Sequence, residues 1–164
     1  MSIQATLKNF LKHRFTTPIA AGPLKAKEYG LSHPTDGCYW LLADPVTLEP
    51  DHQRVFMRGY TALALDKQKD ELLIKNLNEL LHQDALELIY LTPMQWIVKC
   101  KPGSPIMPHI TTYSSLECLN QDISTLLPTG KNNGYWRRLF TECQMIMQNY
   151  ENNSLWFWGS GVSQ

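Results

Sequence analysis

The sequence predicts an α+β domain, with a mixed α/β arrangement as the alternative: a mostly antiparallel or mixed sheet of about five strands, layered with three to four helices and closed by a buried aromatic strand. Three observations lead there. Two strand-like runs are joined only by Thr92-Pro93-Met94, a hairpin connection. Several longer stretches repeat apolar residues at helical spacing, and each such face has to be buried against another layer. The elements follow one another as strand, strand, helix, strand, strand, helix, helix, strand, which suits a sheet layered with helices. At 164 residues the chain fits one domain that can bury a core without metal or disulfide staples. The expected division is residues 1–35, an N-terminal amphipathic helix and proline-rich loop, and residues 36–161, a single α+β domain.

Each element has its own justification. Ile3, Leu7, Phe10 and Leu11 fall at i, i+4, i+7 and i+8, an apolar stripe with Lys8, Lys12 and Arg14 on its wet side. From Thr16 to Asp36, Pro18, Gly22, Pro23, Gly30 and Pro34 interrupt regular structure, so a long surface loop is expected. Cys38 to Ala43 is a short apolar run that predicts a strand ending at Asp44-Pro45, and Arg54 to Tyr60 predicts the next. Asp66 precedes a helix carrying Leu73, Leu77, Leu80 and Leu81 on one face. Leu86–Leu91 and Gln95–Cys100 form the hairpin. Ser114 and Glu117 make a capping box for a helix through Leu116, Leu119, Ile123, Leu126 and Leu127, stopped by Pro128. Trp136, Leu139, Phe140, Cys143, Ile146, Met147 and Tyr150 mark the clearest helix. In the closing strand Leu155 and Phe157 point to one side and Trp156 and Trp158 to the other, so both of its faces need covering.

Composition narrows the function classes. Fifteen Lys and Arg balance fifteen Asp and Glu, so there is no electrostatic footprint of a nucleic-acid binder, and nucleic acid is not expected as a partner. Without a signal-peptide pattern or a long apolar run, the expectation is a cytoplasmic protein with reduced thiols and no membrane partner. Cys38, Cys100, Cys118 and Cys143 include no C-x-x-C pair and the histidines no H-x-x-x-H pair, so the cysteines read as small core residues and no metal is implied.

Candidate chemistry is sparse. A phosphate cradle is a strand, a glycine-rich turn and a helix N-terminus; Gly159-Ser160-Gly161 follows a strand, but only Val162, Ser163 and Gln164 come after it, so a tail is expected there. No G-x-S-x-G elbow is present, and His109 in a proline-flanked loop is either a general base or a turn residue. Asp44, Glu49 and Asp51 near the first strand end are either a cation site or acidic turns. On the last helix Arg138 can pair with Glu142 one turn on, while Arg137, Thr141, Gln144 and Gln148 form a polar stripe that meets water, an anion or a partner.

Together these landmarks resemble the bacterial family of RpfE-type regulatory proteins, some of whose members carry the label of cofactor-independent phosphoglycerate mutase. The resemblance rests on Cys38-Tyr39-Trp40-Leu41 with Ala43-Asp44-Pro45-Val46, Pro93 with Trp96, Asp122-Ile123, Leu127-Pro128 with Gly130, Trp136-Arg137-Arg138-Leu139 with Glu142 and Gln144-Met145, and Asn153-Ser154-Leu155-Trp156-Phe157-Trp158-Gly159 with Gly161. The chain departs from the pattern at Leu42, Thr47 and Ser160. The resemblance implies a relative of the domain inserted in those mutases, whose phosphoryl chemistry needs a Ser or Thr nucleophile amid Asp and His ligands of two metals. No such constellation is legible here. The expected function is therefore a non-catalytic, cofactor-free regulatory or interaction domain binding an unknown protein partner or a small anionic metabolite. Its expected binding residues are Trp40, Asp44, Arg137, Gln144, Trp156, Trp158, Gly159 and Gly161. The alternative is a phosphate-ester hydrolase or mutase, or a binder of phosphorylated metabolites, using Asp44, His109, Arg137 and the terminal glycines. A homo-oligomer built through the N-terminal stripe is a further expectation.

Overall fold

The computed structural model describes residues 20–33, 35–59, 67–105, 110–130 and 133–160. In chain order the elements are α1 (Ala21–Glu28), β1 (Tyr39–Asp51), β2 (Arg54–Gly59), α2 (Lys67–Leu81), β3 (Leu86–Thr92), β4 (Gln95–Cys100), α3 (Ser115–Cys118), α4 (Asn133–Met147) and β5 (Ser154–Trp158). Short 3-10 turns follow α2 and α3. β1 is the hub of the sheet: β4 pairs with its residues Tyr39–Ala43, β5 with Leu42–Val46 and β2 with Thr47–Asp51, and β3 lies outside β4. Every ladder between these strands is antiparallel, so the α+β class holds, in one domain.

The two faces of β1 organise two layers. Leu41 and Ala43 join Leu86, Leu88, Trp96, Val98, Leu155 and Phe157 under α2 and α4, which contribute Leu73, Leu77, Leu81, Trp136, Leu139, Cys143 and Met147. On the opposite face α1 covers Trp40, Leu42 and Ile97 through Ala26, while Cys118 and Ile123 cover Val46, Leu48, Met57 and Trp156. This is why β5 is apolar on both sides. Leu155 and Phe157 feed one core and Trp156 the other, and none of the three is more than 3% exposed. Where the β5 ladder stops, the chain substitutes a side chain: Leu48 N–H donates to Asn153 Oδ1 at 2.8 Å, and Asn153 Nδ2 donates to Leu48 O at 3.0 Å.

The structure corrects three expectations. Residues 21–28 are helical rather than loop. Pro23 sits in the first turn, where a missing N–H breaks no helical bond, and Gly22 lets the helix touch the sheet, since a Cβ there would come within 2.3 Å of Trp40 O. β1 does not end at Asp44-Pro45; because β4 has already ended at Ala43, Pro45 has only β5 beside it and needs no second ladder. The capping box at Ser114 and Glu117 forms as expected, but the helix stops after Cys118. Asn120 turns at φ 59°, its N–H donates to Met57 O at 2.7 Å, and Met57 N–H donates to Gln121 O, so contact with β2 replaces the next helical turn. The N-terminal stripe of Ile3, Leu7, Phe10 and Leu11 lies outside the described residues.

Candidate functional site

Strand alternation gathers Trp40, Asp44, Trp156 and Trp158 on one face of the sheet, with Asp44 directly opposite Trp156 and Leu42 opposite Trp158. Asp44 is 1% exposed. Its Oδ2 accepts hydrogen bonds from Ser115 Oγ at 2.7 Å and from Trp158 Nε1 at 2.6 Å. Its Oδ1 is buried and has no hydrogen-bond partner. Burial pushes the carboxyl pKa up from 3.8 to about 6, and the donors on Ser115 and Trp158, with the Gln95 side chain, only partly oppose it. A buried carboxylate held by two donors on two separate elements ties α3 and β5 to β1.

Ser115 is placed by the capping box, in which Glu117 N–H donates to Ser114 Oγ at 3.1 Å and Ser114 N–H donates to Glu117 Oε2 at 3.0 Å. On its outer side α3 borders a cleft of about 230 Å³ lined by Arg58, Gly59, Ser115, Leu116 and Leu119. Gly59 has φ +92°, and a Cβ there would stand 3.0 Å from Leu119 Cδ1, so glycine is what allows β2 to end beside that leucine. The Arg58 guanidinium is oriented by Glu49 Oε2 at 3.3 Å and Asn120 Oδ1 at 3.4 Å, and lies 4.9 Å from the centre of the Phe56 ring. Leu116 and Leu119 are 55% and 38% exposed.

The remaining expected residues do not line this cleft. Arg137 is exposed on α4 and is not among the groups that act on Asp44, which are Ser115, Trp158 and Gln95. Gln144 Nε2 donates to Ser154 Oγ at 3.2 Å, and Trp156 Nε1 donates to Tyr113 O at 2.7 Å; both bonds hold β5 in place. Trp40 is buried, with Lys99 Nζ 5.7 Å from its ring centre. Gly159 is a packing residue rather than an open anion cradle. Its N–H donates to Thr112 Oγ1, its carbonyl accepts Gly22 N–H, and a Cβ would lie 2.9 Å from Ala21 Cβ. Gly161 and His109 lie outside the described residues. Glu49 pairs with Arg58 and Asp51 lies exposed at the hairpin end, so neither joins buried Asp44. Arg138 reaches both Glu142 and Asp84, at 4.0 and 3.8 Å.

Among the described residues no group of three or more His, Cys, Asp or Glu side chains is placed to hold a metal, and no helix is long and apolar enough to cross a membrane. Cys100, Cys118 and Cys143 are buried free thiols whose pKa burial pushes up to about 12, which keeps them protonated and poor nucleophiles. Sequence reasoning missed Arg58, Gly59 and Ser115. The capping box located Ser115 on a helix start, but its partner Asp44 lies 71 positions away, and no local pattern links them. Compared with protein-family models, with curated proteins and with solved structures, the chain matches none.

Proposed function

We propose that this chain is a non-catalytic cytoplasmic domain that acts by binding, as a regulatory or interaction protein, in keeping with its resemblance to the RpfE-type family and to the domain inserted in phosphoglycerate mutases. One observation carries the reading: among the described residues, those expected to serve phosphate transfer do not form one site. Asp44 is sealed between β1, β5 and α3, Gly159 packs against α1, and Arg137 stands exposed on α4, outside the set of groups that act on Asp44. A phosphoryl-transfer site needs nucleophile, base and cationic clamp within reach of one substrate atom. What reaches the surface instead is a pair of leucines and an arginine around a small cleft, which suits recognition.

The enzyme alternative has one observation in its favour, the 2.7 Å bond that places a serine hydroxyl on a buried carboxylate beside that cleft. Phosphatase and mutase assays on purified chain, with metal analysis alongside, separate the two. The binding reading expects no turnover above a heat-denatured control. Turnover that Ser115→Ala abolishes, with the variant still folded, replaces it with the enzyme.

A further inference from the structure

We propose that the cleft between the end of β2 and α3 is an anchor site for a protein partner, taking one apolar side chain between Leu116 and Leu119 and a neighbouring carboxylate on Arg58. This rests on the reading of the chain as an interaction domain.

Size argues first. Pockets that enclose small-molecule ligands run from about 300 to 1,000 Å³. At about 230 Å³ the cleft falls below that range and suits a single side chain. Rigidity argues second. α3 is only four residues long, yet it is held by a capping box, by Ser115 Oγ on Asp44, by buried Cys118 and by Asn120 N–H on Met57 O. Ser115 and Cys118 face inward, so the same pinning holds Leu116 and Leu119 outward and they cannot turn in to escape water. A surface fixed before the partner arrives loses little conformational entropy on binding.

Charge argues third and selects the partner. Arg58 is the charged residue among those lining the cleft. Its contacts with Glu49 and Asn120 engage Nε and one terminal nitrogen, and a guanidinium carries five N–H donors, so donor capacity remains for an incoming carboxylate. The Arg58 and Glu49 side chains are 38% and 62% exposed, and an ion pair so exposed is weak enough to be exchanged. The occupant is thus a segment with Leu, Met or Phe next to Asp or Glu. Interface anchors are commonly one buried side chain in a pocket with a polar group at its rim.

The test uses the full chain to select binders from a random-peptide display library, with affinities measured by fluorescence anisotropy. Selected peptides are expected to carry Asp or Glu within about three positions of Leu, Met or Phe. Arg58→Glu is expected to weaken them about tenfold, the value of one charge-assisted contact, and to turn a repeat selection toward Lys or Arg. Leu116→Asp should weaken them as well, whereas Met145→Asp, at a 66% exposed position on α4, should not. Thermal melts of each variant confirm folding. Peptides that bind Arg58→Glu and Leu116→Asp as well as the parent overturn the cleft and leave the interaction reading standing. A library that yields no binder overturns the proposal, and saturable binding of isovalerate alone at the cleft reassigns it to a small acid.

Discussion

Asp44→Asn isolates the cost of burying a carboxyl group beneath α3. The carboxyl pKa stands at about 6 in the folded chain against 3.8 ordinarily, and the difference of about two units corresponds to about 3 kcal/mol. The sign follows from proton binding. Between pH 4 and 6 the folded state holds the Asp44 proton and the unfolded state has released it, so stability falls as pH rises through that window and levels off above it. Asparagine keeps an oxygen to accept from Ser115 and Trp158 and carries no charge, so the variant should lose this slope. Its stability relative to the parent should therefore rise by up to about 3 kcal/mol between pH 4 and pH 7.5, on top of a pH-independent cost of about 1–3 kcal/mol for placing an amide NH2 at the buried, unpartnered Oδ1 position. Urea unfolding of both chains at pH 4, 5, 6 and 7.5 measures this. Glu117, which burial also raises, and Asp36 and Asp122, which backbone N–H groups lower, titrate alike in both chains and cancel in the comparison. A variant keeping the parent's slope, or gaining nothing on the parent between pH 4 and pH 7.5, would refute the view that burial dominates at Asp44.

Other perturbations test the packing around it. Gly159→Ala puts a methyl group 2.9 Å from Ala21 Cβ at φ +79°, so a loss of about 2 kcal/mol is expected in denaturant melts, together with faster amide exchange in α1. Asn153→Ala removes both hydrogen bonds to Leu48 and should cost about 2 kcal/mol, read as a lower urea midpoint with an unchanged slope. Asn78 shields the outer edge of β3 by accepting from Leu88 N–H at 2.7 Å and donating to Leu88 O at 3.0 Å. Asn78→Ala should therefore accelerate exchange of the Leu88 amide and raise the tendency to self-associate, seen by light scattering.

How much was legible depends on the distance over which the signal acts. The hairpin turn at Pro93, the leucines of α2, the apolar stripe of α4 and the alternation of β5 are patterns within a few residues, and each became the element expected. Two of the three errors share one cause. Gly22 and Pro23 read as breakers, but Gly22 answers to the Trp40 backbone; Leu119 to Leu127 read as helix, but Met57 claims the backbone at Asn120 and Gln121. In both places a distant strand outweighed a local preference worth less than a few kcal/mol.

The same division holds for the candidate site. By itself the sequence determined that Trp156 and Trp158 share a strand face and that a capped turn begins at Ser114, because period and capping are local properties of the chain. Only the tertiary structure decided that Trp40 and Asp44 lie on that same face, that Ser115 closes over Asp44, that Arg137 stays exposed outside its set of partners and that Arg58 and Leu116 share a cleft. Those are matters of register and layer order, set by burial summed over the whole core, and no window of neighbouring residues contains them.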